Sequence, residues 1–375
     1  MEFSAAELAA RLERARHGMA AARMDCLLIS GIENFCYFSG VPMFLYQHRR
    51  PWCALIPLDR EPVVLHLKGM EATHRGQGFL TNVETYQFPV SVGLVHKVVE
   101  VLKRIGARVV GCELGVEQRL GIPLNDFDAI RAELPDVRFV DATTVLWGLR
   151  MVKSPEEADR MRKACAITSS ARQALFREVR PGMTEADVAH RFADLMHEAG
   201  SERPSFIYVM TPGPYELLPN PKKHLRAGDT LWVDGGAYVG GYTCDFSRVA
   251  VLGKASARQR ELHQHASEVM TSVLSAIRPG VHVGELYEIY AREKTKRGYA
   301  AGHGAAGHGM GMLINEPPLI SPSDDTVLAE GLVTGIEYGP MEPEGMFVLE
   351  EVLQIKEGGY ELLSNEPWDL VEIDC

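Results

Sequence analysis

The segment LWVDGGAYVGGYTCDFSRVAVL, residues 231–252, constrains the fold more than any other part of this 375-residue chain. Gly240 and Gly241 lie between two apolar-rich runs. A two-residue glycine turn favours a β-hairpin, because primed turns need positive φ at their centre. The sequence therefore predicts two antiparallel strands in which Val239 pairs with Tyr242.

That pairing brings two aspartates together. It sets Asp234 opposite Ser247 and Asp245 opposite Gly236, so the aspartates become diagonal neighbours on one face, about 7–8 Å apart at Cα. Two carboxylates that project together from apolar strands repel each other and are costly to bury. The pattern predicts a cation between them. Two independent solvent-facing aspartates are the alternative that this segment alone leaves open.

The last third of the chain supplies further metal-ligand types. His308 lies in the glycine-rich segment GHGAAGHGMG, Glu337 in the apolar run LVTGIEY, and Glu350 in FVLEEVLQI. Together with the two aspartates they make four carboxylates and one imidazole. Hard oxygen ligands with a single nitrogen suit two divalent ions of the manganese, iron, cobalt or zinc type. Four negative charges would also balance two divalent cations.

Five motifs follow one another in a characteristic order: VDGG, CDFSR eleven residues on, GHGMG, GIEYG and LEEVLQI. In this order they resemble the pita-bread metallohydrolases, which include methionine aminopeptidase, Xaa-Pro aminopeptidase, prolidase and their creatinase-like relatives. The N-terminal half also resembles the non-catalytic domain of creatinase and prolidase. The resemblance implies an α/β (α+β) protein: a creatinase-like α/β domain over residues 1–152, then a pita-bread catalytic domain with a curved, mainly antiparallel sheet over residues 153–375.

The resemblance also implies a role for each ligand. Asp234 would chelate one ion, His308 and Glu337 would hold the other, and Asp245 and Glu350 would bridge the two. Manganese is the expected metal, with zinc, cobalt and iron as alternatives. A metal-bound hydroxide would attack an amide carbon, with Glu337 as proton shuttle, since two ions about 3.5–4 Å apart activate a shared water.

These features favour a cytoplasmic metallopeptidase of the Xaa-Pro type that acts on small peptides. The alternative keeps the fold but changes the substrate to a small zwitterion, as in creatinase, ectoine hydrolase or the sulfoniopropionate-cleaving lyases. A metal-free binding protein is disfavoured because all five ligand positions keep ligand-competent residues. The resemblance further implies a homodimer, because relatives use the N-terminal domain to close a neighbour's pocket.

Three positions depart from the peptidase pattern. Relatives carry a histidine seven residues after the ligand histidine, where this chain has Asn315. A second histidine usually stands seventeen residues before the first ligand aspartate, at Leu217, or at Asn220 if the loop is read with a small gap. His303 is one residue out of step with a third. Asn315 and His303 are expected to line the pocket. In relatives these histidines donate hydrogen bonds to the scissile carbonyl, and the loss of one such donor typically lowers the rate by about 10²–10³. Their absence here therefore supports the small-molecule alternative, under which Xaa-Pro cleavage would be weak or absent.

Composition excludes several classes of partner. Net charge is −11, from 50 acidic and 39 basic residues, which argues against nucleic acid or an anionic membrane surface. The seven cysteines are scattered and odd in number, as expected for reduced thiols rather than a disulfide framework. No run has the length and apolarity of a signal peptide core or a membrane span.

Local patterns predict the elements around the site. Alternating strands and helices fill the first 150 residues, with ENFCYFSG as a strand that leads into a loop. Ser154 and Pro155 begin a helix just after the predicted domain boundary. Glu350 and Glu351 must point to opposite faces of their strand, so Glu351 is expected to be an outward acid or to support the ligands from behind. Arg248 is expected to form an ion pair. Glu316 is expected either beside the ligands or at a loop surface.

Overall fold

The computed structural model describes residues 3–41, 50–216, 218–300 and 304–375. The chain divides into two compact units, Met1–Arg150 and Met151–Cys375. Across the described parts, no helix combines the length and apolar character needed to cross a bilayer.

The first unit is a mixed sheet with helices. Its elements, in chain order, are α1 Ala5–Ala21, β1 Cys26–Ile29, α2 Ile32–Ser39, β2 Cys53–Pro57, β3 Val63–Leu67, α3 Glu71–Gln77, β4 Val83–Tyr86, α4 Val90–Ile105, β5 Val109–Cys112, α5 Leu124–Glu133, β6 Arg138–Asp141 and α6 Thr143–Arg150. The sheet order is β4-β3-β2-β1-β5-β6, with β2 antiparallel to both neighbours and the remaining pairs parallel. Apolar side chains of these strands pack against α4 and α5 to form its core.

The prediction of a strand at ENFCYFSG is wrong. These residues form the short helix α2, which ends at Gly40 in the left-handed conformation, with φ of 72°. Aromatic residues favour strands because they fit a half-buried pleated surface. Here Phe35, Tyr37 and Phe38 are all buried, so packing on every side of a short helix overrides that preference.

The second unit contains two helix pairs, each followed by strands. Its elements are α7 Pro155–Glu178, α8 Glu185–Glu198, β7 Pro204–Met210, β8 Thr230–Val239, β9 Tyr242–Thr243, β10 Phe246–Leu252, α9 Ala257–Leu274, α10 Val283–Lys296, β11 His308–Gly309, β12 Glu316–Leu319, β13 Val333–Tyr338, β14 Met341–Glu342, β15 Gly345–Met346, β16 Leu349–Lys356, β17 Gly359–Leu362 and β18 Val371–Ile373. One sheet has the order β18-β10-β8-β7, with β9 on β8, and the other has the order β12-β11-β13-β16-β17. The pairings are antiparallel except that of β10 with β18.

Helix α7 begins where the sequence predicts. The Ser154 hydroxyl accepts a hydrogen bond from the backbone N–H of Glu157 (3.2 Å), and the Glu157 carboxylate accepts one from the backbone N–H of Ser154 (2.7 Å). Pro155 occupies the first turn, where its missing N–H costs nothing. This reciprocal cap fixes the start of the helix that packs behind β8.

Within the second unit, side chains of β8 and β10 donate hydrogen bonds to the backbone at the start of β16. The Trp232 indole N–H and the Ser247 hydroxyl both donate to the carbonyl of Val348, each at 3.1 Å. The Arg248 guanidinium donates to the carbonyl of Glu350 at 2.8 Å. These bonds hold β8 and β10 against the start of β16, so the two aspartates and Glu350 meet where the sheets join.

Candidate metal centre

The glycine turn closes the hairpin in the predicted register. Gly240 and Gly241 have φ of 57° and 83°, as a type I′ turn requires. Val239 pairs with Tyr242, and Asp234 lies opposite Ser247. The register therefore puts the Asp234 side chain on the face of β8 that Ser247 shares.

The second strand of the hairpin is interrupted at Asp245. Strand β9 ends at Thr243 and β10 begins at Phe246, so Asp245 lies between them rather than within a paired strand. The Cys244 carbonyl approaches Gly236 so closely that a Cβ there would lie 1.8 Å from its oxygen. Only glycine permits this approach. The prediction of one continuous strand from Tyr242 to Leu252 is therefore wrong at this point.

Three of the predicted ligands converge. Asp245, His308 and Glu350 each offer an oxygen or nitrogen atom, and these atoms all lie within 4.8 Å of one another. His308 Nε2 lies 3.7 Å from Asp245 Oδ2. Such a cluster, drawn from three separate elements, has the donor types and the spacing that a divalent ion needs.

The other two predicted ligands border this cluster. Glu337 lies directly opposite Glu350 on the paired strands β13 and β16. Asp234 is buried, and after the larger effect of burial the charges of Asp234 and Glu337 both raise the pKa of Asp245. The structure therefore brings all five predicted ligands into one neighbourhood.

The carboxylates are in an environment that opposes their charge. Burial, reinforced by the Glu337 carboxylate, raises the pKa of Asp234 to about 7. Burial and the neighbouring carboxylates also raise the pKa values of Asp245 and Glu350 well above their usual range. Among the described residues, Asp234 Oδ1, Asp245 Oδ1 and Glu350 Oε1 are buried and have no hydrogen-bond partner. Buried acceptors without donors fit a site built for cations.

His308 is oriented for metal binding. Its Nδ1 lies 3.1 Å from the backbone carbonyl of Gly309, which leaves Nε2 turned towards the carboxylates. Metal-binding histidines commonly donate their other ring N–H to such a carbonyl. Gly335 lies against Glu350 and Met310. A Cβ at this position would lie 3.2 Å from Glu350 Oε1 and 2.8 Å from the Met310 methyl carbon, so the absence of a side chain leaves space for both.

A buried ion pair lies behind the ligands. Glu351 is fully buried, so the option of an outward acid is wrong. Its carboxylate accepts hydrogen bonds from the Arg248 guanidinium, the Ser364 hydroxyl and the Trp368 indole N–H. Alternation along β16 sends Glu350 to the site and Glu351 to this network. The ion pair expected for Arg248 is thus with Glu351.

Glu316 is a buried acid that orders the loop before it. It pairs with Lys153 at 3.4 Å, and both side chains are almost completely buried. Its other oxygen accepts hydrogen bonds from the backbone N–H groups of Met312 and Leu313, at 3.0 and 3.1 Å. The option of a loop-surface acid is therefore wrong.

Two of the positions that depart from the peptidase pattern, Asn315 and Asn220, lie among the described residues. Asn315 is exposed, and its side chain makes no hydrogen bond to any described residue. The Asn220 side chain is used within its own loop: its oxygen accepts from the backbone N–H of Lys222 (2.9 Å), and its amide donates to Glu216 (3.0 Å). Leu217 and His303 lie outside the described residues.

Two tyrosines near the ligands were missed. Tyr208 is directly opposite Asp234 on strand β7. Tyr215 follows β7 in the segment that leads to β8, and the carboxylates of Asp234 and Glu337 raise its pKa after the larger effect of burial. Period-two alternation in SFIYVM was the available signal for Tyr208. Nothing local to the sequence indicated where Tyr215 would lie.

Both halves of the chain match models of known protein families. Residues 159–357 match the model of metallopeptidase family M24, and residues 11–152 match the creatinase/prolidase N-terminal domain. The Xaa-Pro dipeptidase of Pyrococcus furiosus is 32% identical over 267 residues, which cover 69% of this chain and 75% of that protein. The Xaa-Pro dipeptidase of Pyrococcus horikoshii is 30% identical over 260 residues, 68% of this chain and 73% of that protein.

Solved structures show the same fold. Dipeptidase PepE from Mycobacterium ulcerans superposes with a TM-score of 0.85 at 23% identity and covers all of both chains. The prolidase of Pyrococcus horikoshii OT3 gives a TM-score of 0.83 at 24% identity, over 96% of this chain and all of that one. The predicted resemblance, the mixed α/β fold class and the metallohydrolase class are confirmed. This chain belongs to metallopeptidase family M24.

Proposed function

We propose that this protein is a metal-dependent peptidase that hydrolyses the Xaa-Pro bond of small peptides. The observation that carries the proposal is a group of three buried carboxylates, each with one buried oxygen that has no hydrogen-bond partner among the described residues, with His308 turned towards them. The names of the Pyrococcus relatives, both Xaa-Pro dipeptidases, supply the substrate class. They do not favour the small-zwitterion alternative.

The ligand roles are part of this proposal. Asp234 would chelate one ion, His308 and Glu337 would hold the other, and Asp245 and Glu350 would bridge the pair. Support comes from the convergence of Asp245, His308 and Glu350, whose ligand atoms lie within 4.8 Å of one another, and from the cross-strand pairing of Glu337 with Glu350. Four carboxylates and one imidazole match the donors that two divalent first-row ions take. Manganese remains the metal expected first, with zinc, cobalt and iron as the alternatives.

Two ions bound there would polarise the scissile carbonyl and lower the pKa of the attacking water. The chain's own contribution is to hold the carboxylates in fixed positions and to move a proton. Glu337 is the least buried of the four acids, so it can reach both water and substrate. Its carboxylate takes the proton from the attacking water and returns it to the leaving nitrogen as the C–N bond breaks.

We further propose a cytoplasmic homodimer with domains at 1–152 and 153–375. The first unit supplies no group of three or more metal-ligating side chains among its described residues, which supports a non-catalytic role for it. Asn315 and His303 are proposed to line the substrate pocket. Light scattering at micromolar concentration tests the dimer, and a monomer alone would contradict it.

The function is tested with a substrate panel. Purified protein is loaded in turn with Mn²⁺, Zn²⁺ and Co²⁺. It is then incubated with Xaa-Pro dipeptides, with dipeptides that carry another residue in place of proline, and with small zwitterionic amides. We expect cleavage of Xaa-Pro dipeptides only, abolished by a chelator and restored by metal. Cleavage of the zwitterionic amides without the dipeptides would replace this proposal with its alternative.

A further inference from the structure

Tyr208 lies beside the metal centre on the edge strand of its sheet. It pairs with Asp234 across β7 and β8, so both side chains leave the same face of the sheet. The Tyr208 ring stacks on Trp232, with centroids 6.4 Å apart and planes 19° from parallel, and its other neighbour is Phe206 at 4.9 Å. Trp232 is buried, whereas Tyr208 keeps part of its surface in solvent. A ring held from two sides presents its hydroxyl in a defined position.

Tyr215 lies in the loop after β7, between Thr211 and Asn220. Burial first, then the carboxylates of Asp234 and Glu337, raise its pKa. For Tyr208, burial first and then Tyr215, Asp234 and Asp245 have the same effect. Each phenol is therefore within electrostatic range of the Asp234 carboxylate, and Tyr208 is also within range of Tyr215. Tyr215 is 51% exposed, so a molecule in solution can reach it.

A buried carboxylate holds the loop that carries Tyr215. Glu185, at the start of α8, accepts hydrogen bonds from the backbone N–H and the hydroxyl of Thr211 (2.8 and 2.7 Å) and from the backbone N–H of Asn220 (3.1 Å). It also pairs with Lys223 at 2.9 Å. One acid thus secures the loop on both sides of Tyr215, which limits where the phenol can go.

Neither phenol hydroxyl has a hydrogen-bond partner among the residues described. Tyrosines that serve the fold here are different: the Tyr238 hydroxyl donates to the carbonyl of Met312 at 2.9 Å, and the Tyr242 hydroxyl donates to Glu157 at 2.5 Å. Because neutral phenols are donors, Tyr208 and Tyr215 offer two free O–H groups next to an acceptor-rich centre.

We propose that Tyr208 and Tyr215 contact the substrate and donate hydrogen bonds to its terminal carboxylate. The inference rests on the proposed peptidase function, which it extends to substrate recognition. The scissile carbonyl must face the bound ions. The terminal carboxylate, with two acceptor oxygens, is then the dipeptide group that a pair of donors suits. The chain would therefore select dipeptides with a free C-terminus over blocked ones.

The test compares Tyr208→Phe and Tyr215→Phe with Tyr360→Phe, a partly buried tyrosine on β17 that serves as the matched control. Manganese-loaded proteins are assayed with Ala-Pro and with Ala-Pro amide, which lacks the terminal charge. Hydrogen bonds to charged groups lead us to expect a KM for Ala-Pro about tenfold or more higher in each site variant. Ala-Pro amide should be affected much less, and Tyr360→Phe should match the unmodified protein.

Two readouts separate contact with substrate from a structural role. Metal content and thermal midpoint should be unchanged in both site variants, whereas calorimetric affinity for L-proline, the product that keeps the carboxylate, should fall. If the variants bind L-proline and discriminate between acid and amide as the unmodified protein does, the tyrosine proposal is wrong. If the unmodified protein binds L-proline in a tyrosine-dependent way but cleaves no Ala-Pro, the proposed function fails and this inference stands. If it neither binds nor cleaves, both fail.

Discussion

Glu337 and Glu350 lie directly opposite each other on adjacent antiparallel strands. Like charges in this arrangement destabilise a sheet, because the Cβ atoms of such a pair are only about 4.5–5.5 Å apart. Burial increases the cost, and it raises the pKa of both side chains. The chain thus gives up stability at this point, and bound cations would restore it.

Removing a bridging ligand should cost both ions. We expect Asp245→Ala and Glu350→Ala to purify with little or no bound metal, because each carboxylate is proposed to contact both ions. Elemental analysis after dialysis against a metal-free buffer measures this. Asp325→Ala, an exposed acid in the same unit, is the control and should keep its full metal content. Full occupancy in either ligand variant would contradict the bridging assignment.

Metal should also stabilise the folded state. A ligand that binds only the native state at 100 times its Kd adds about 2.7 kcal/mol to the free energy of unfolding. We expect a chelator to lower the thermal midpoint of the unmodified protein and excess Mn²⁺ to restore it. The midpoint of Glu350→Ala should respond to neither addition. An equal response in that variant would mean that the stabilising ion binds elsewhere.

The buried ion pair between Arg248 and Glu351 should stabilise the folded protein. Arg248 also donates to the carbonyls of Pro367 and Glu366, at 3.0 and 2.5 Å. Loss of one partner leaves a buried charge without compensation, which typically costs about 3–5 kcal/mol. We expect Glu351→Ala to lower the free energy of unfolding by that amount. Lys254→Ala removes an exposed partner of Glu372 and should leave the free energy of unfolding nearly unchanged, because water and salt screen an exposed pair.

The stability of the first unit should fall in mild acid because of His66. Burial, and then the charge of the neighbouring His74, lower the pKa of His66 to about 4, whereas Glu71 acts weakly in the opposite direction and Arg75 in the same direction. Neither ring nitrogen of His66 has a partner among the described residues. The unfolded chain, with a pKa near 6.5, therefore binds the proton first as pH falls.

The contribution of neutral His66 to the free energy of unfolding is therefore complete above about pH 6.5. It decreases towards pH 4, by an amount on the order of 1–3 kcal/mol. His66→Phe keeps a buried ring but removes the imidazole that binds the proton. The midpoint of urea unfolding should therefore depend less on pH between pH 7 and pH 5. His96→Gln, which changes an exposed histidine, should leave that dependence unchanged. An unchanged dependence in His66→Phe would assign the acid sensitivity to other groups.

Most of the hairpin could be predicted because its register depends on local chemistry. A Gly-Gly turn fixes which residues pair, and pairing fixes which share a face, so Asp234 and Ser247 could be set opposite each other from the sequence alone. The break at Asp245 could not be predicted, because it depends on how closely the Cys244 carbonyl approaches Gly236. That approach is a property of the folded backbone.

Tertiary contacts decided the remaining cases. Helix α2 forms against the preference of its aromatic residues because they are buried on all sides. Glu351 turned out to be a buried partner of Arg248, which alternation alone could not distinguish from an exposed acid. Tyr215 lies in a loop held by Glu185, and long-range anchoring of this kind leaves no periodic signal in a sequence.

Asn315 stands where the resemblance to peptidases implies a histidine. Asparagine can donate a hydrogen bond, but it cannot carry charge or exchange a proton. Its side chain is exposed and makes no hydrogen bond to any described residue, so an imidazole can be accommodated there without loss of a fold contact. One added donor to a developing oxyanion is worth up to about 10²–10³ in rate. We therefore expect Asn315→His to raise kcat for Xaa-Pro dipeptides, with metal content unchanged.

Asn220→His is the comparison, because it removes the hydrogen bonds of Asn220 to Lys222 and Glu216 and should lower the thermal midpoint instead. If the unmodified protein already cleaves Xaa-Pro dipeptides as fast as ordinary prolidases and Asn315→His adds nothing, the asparagine does not limit peptide cleavage and the small-zwitterion alternative loses its basis.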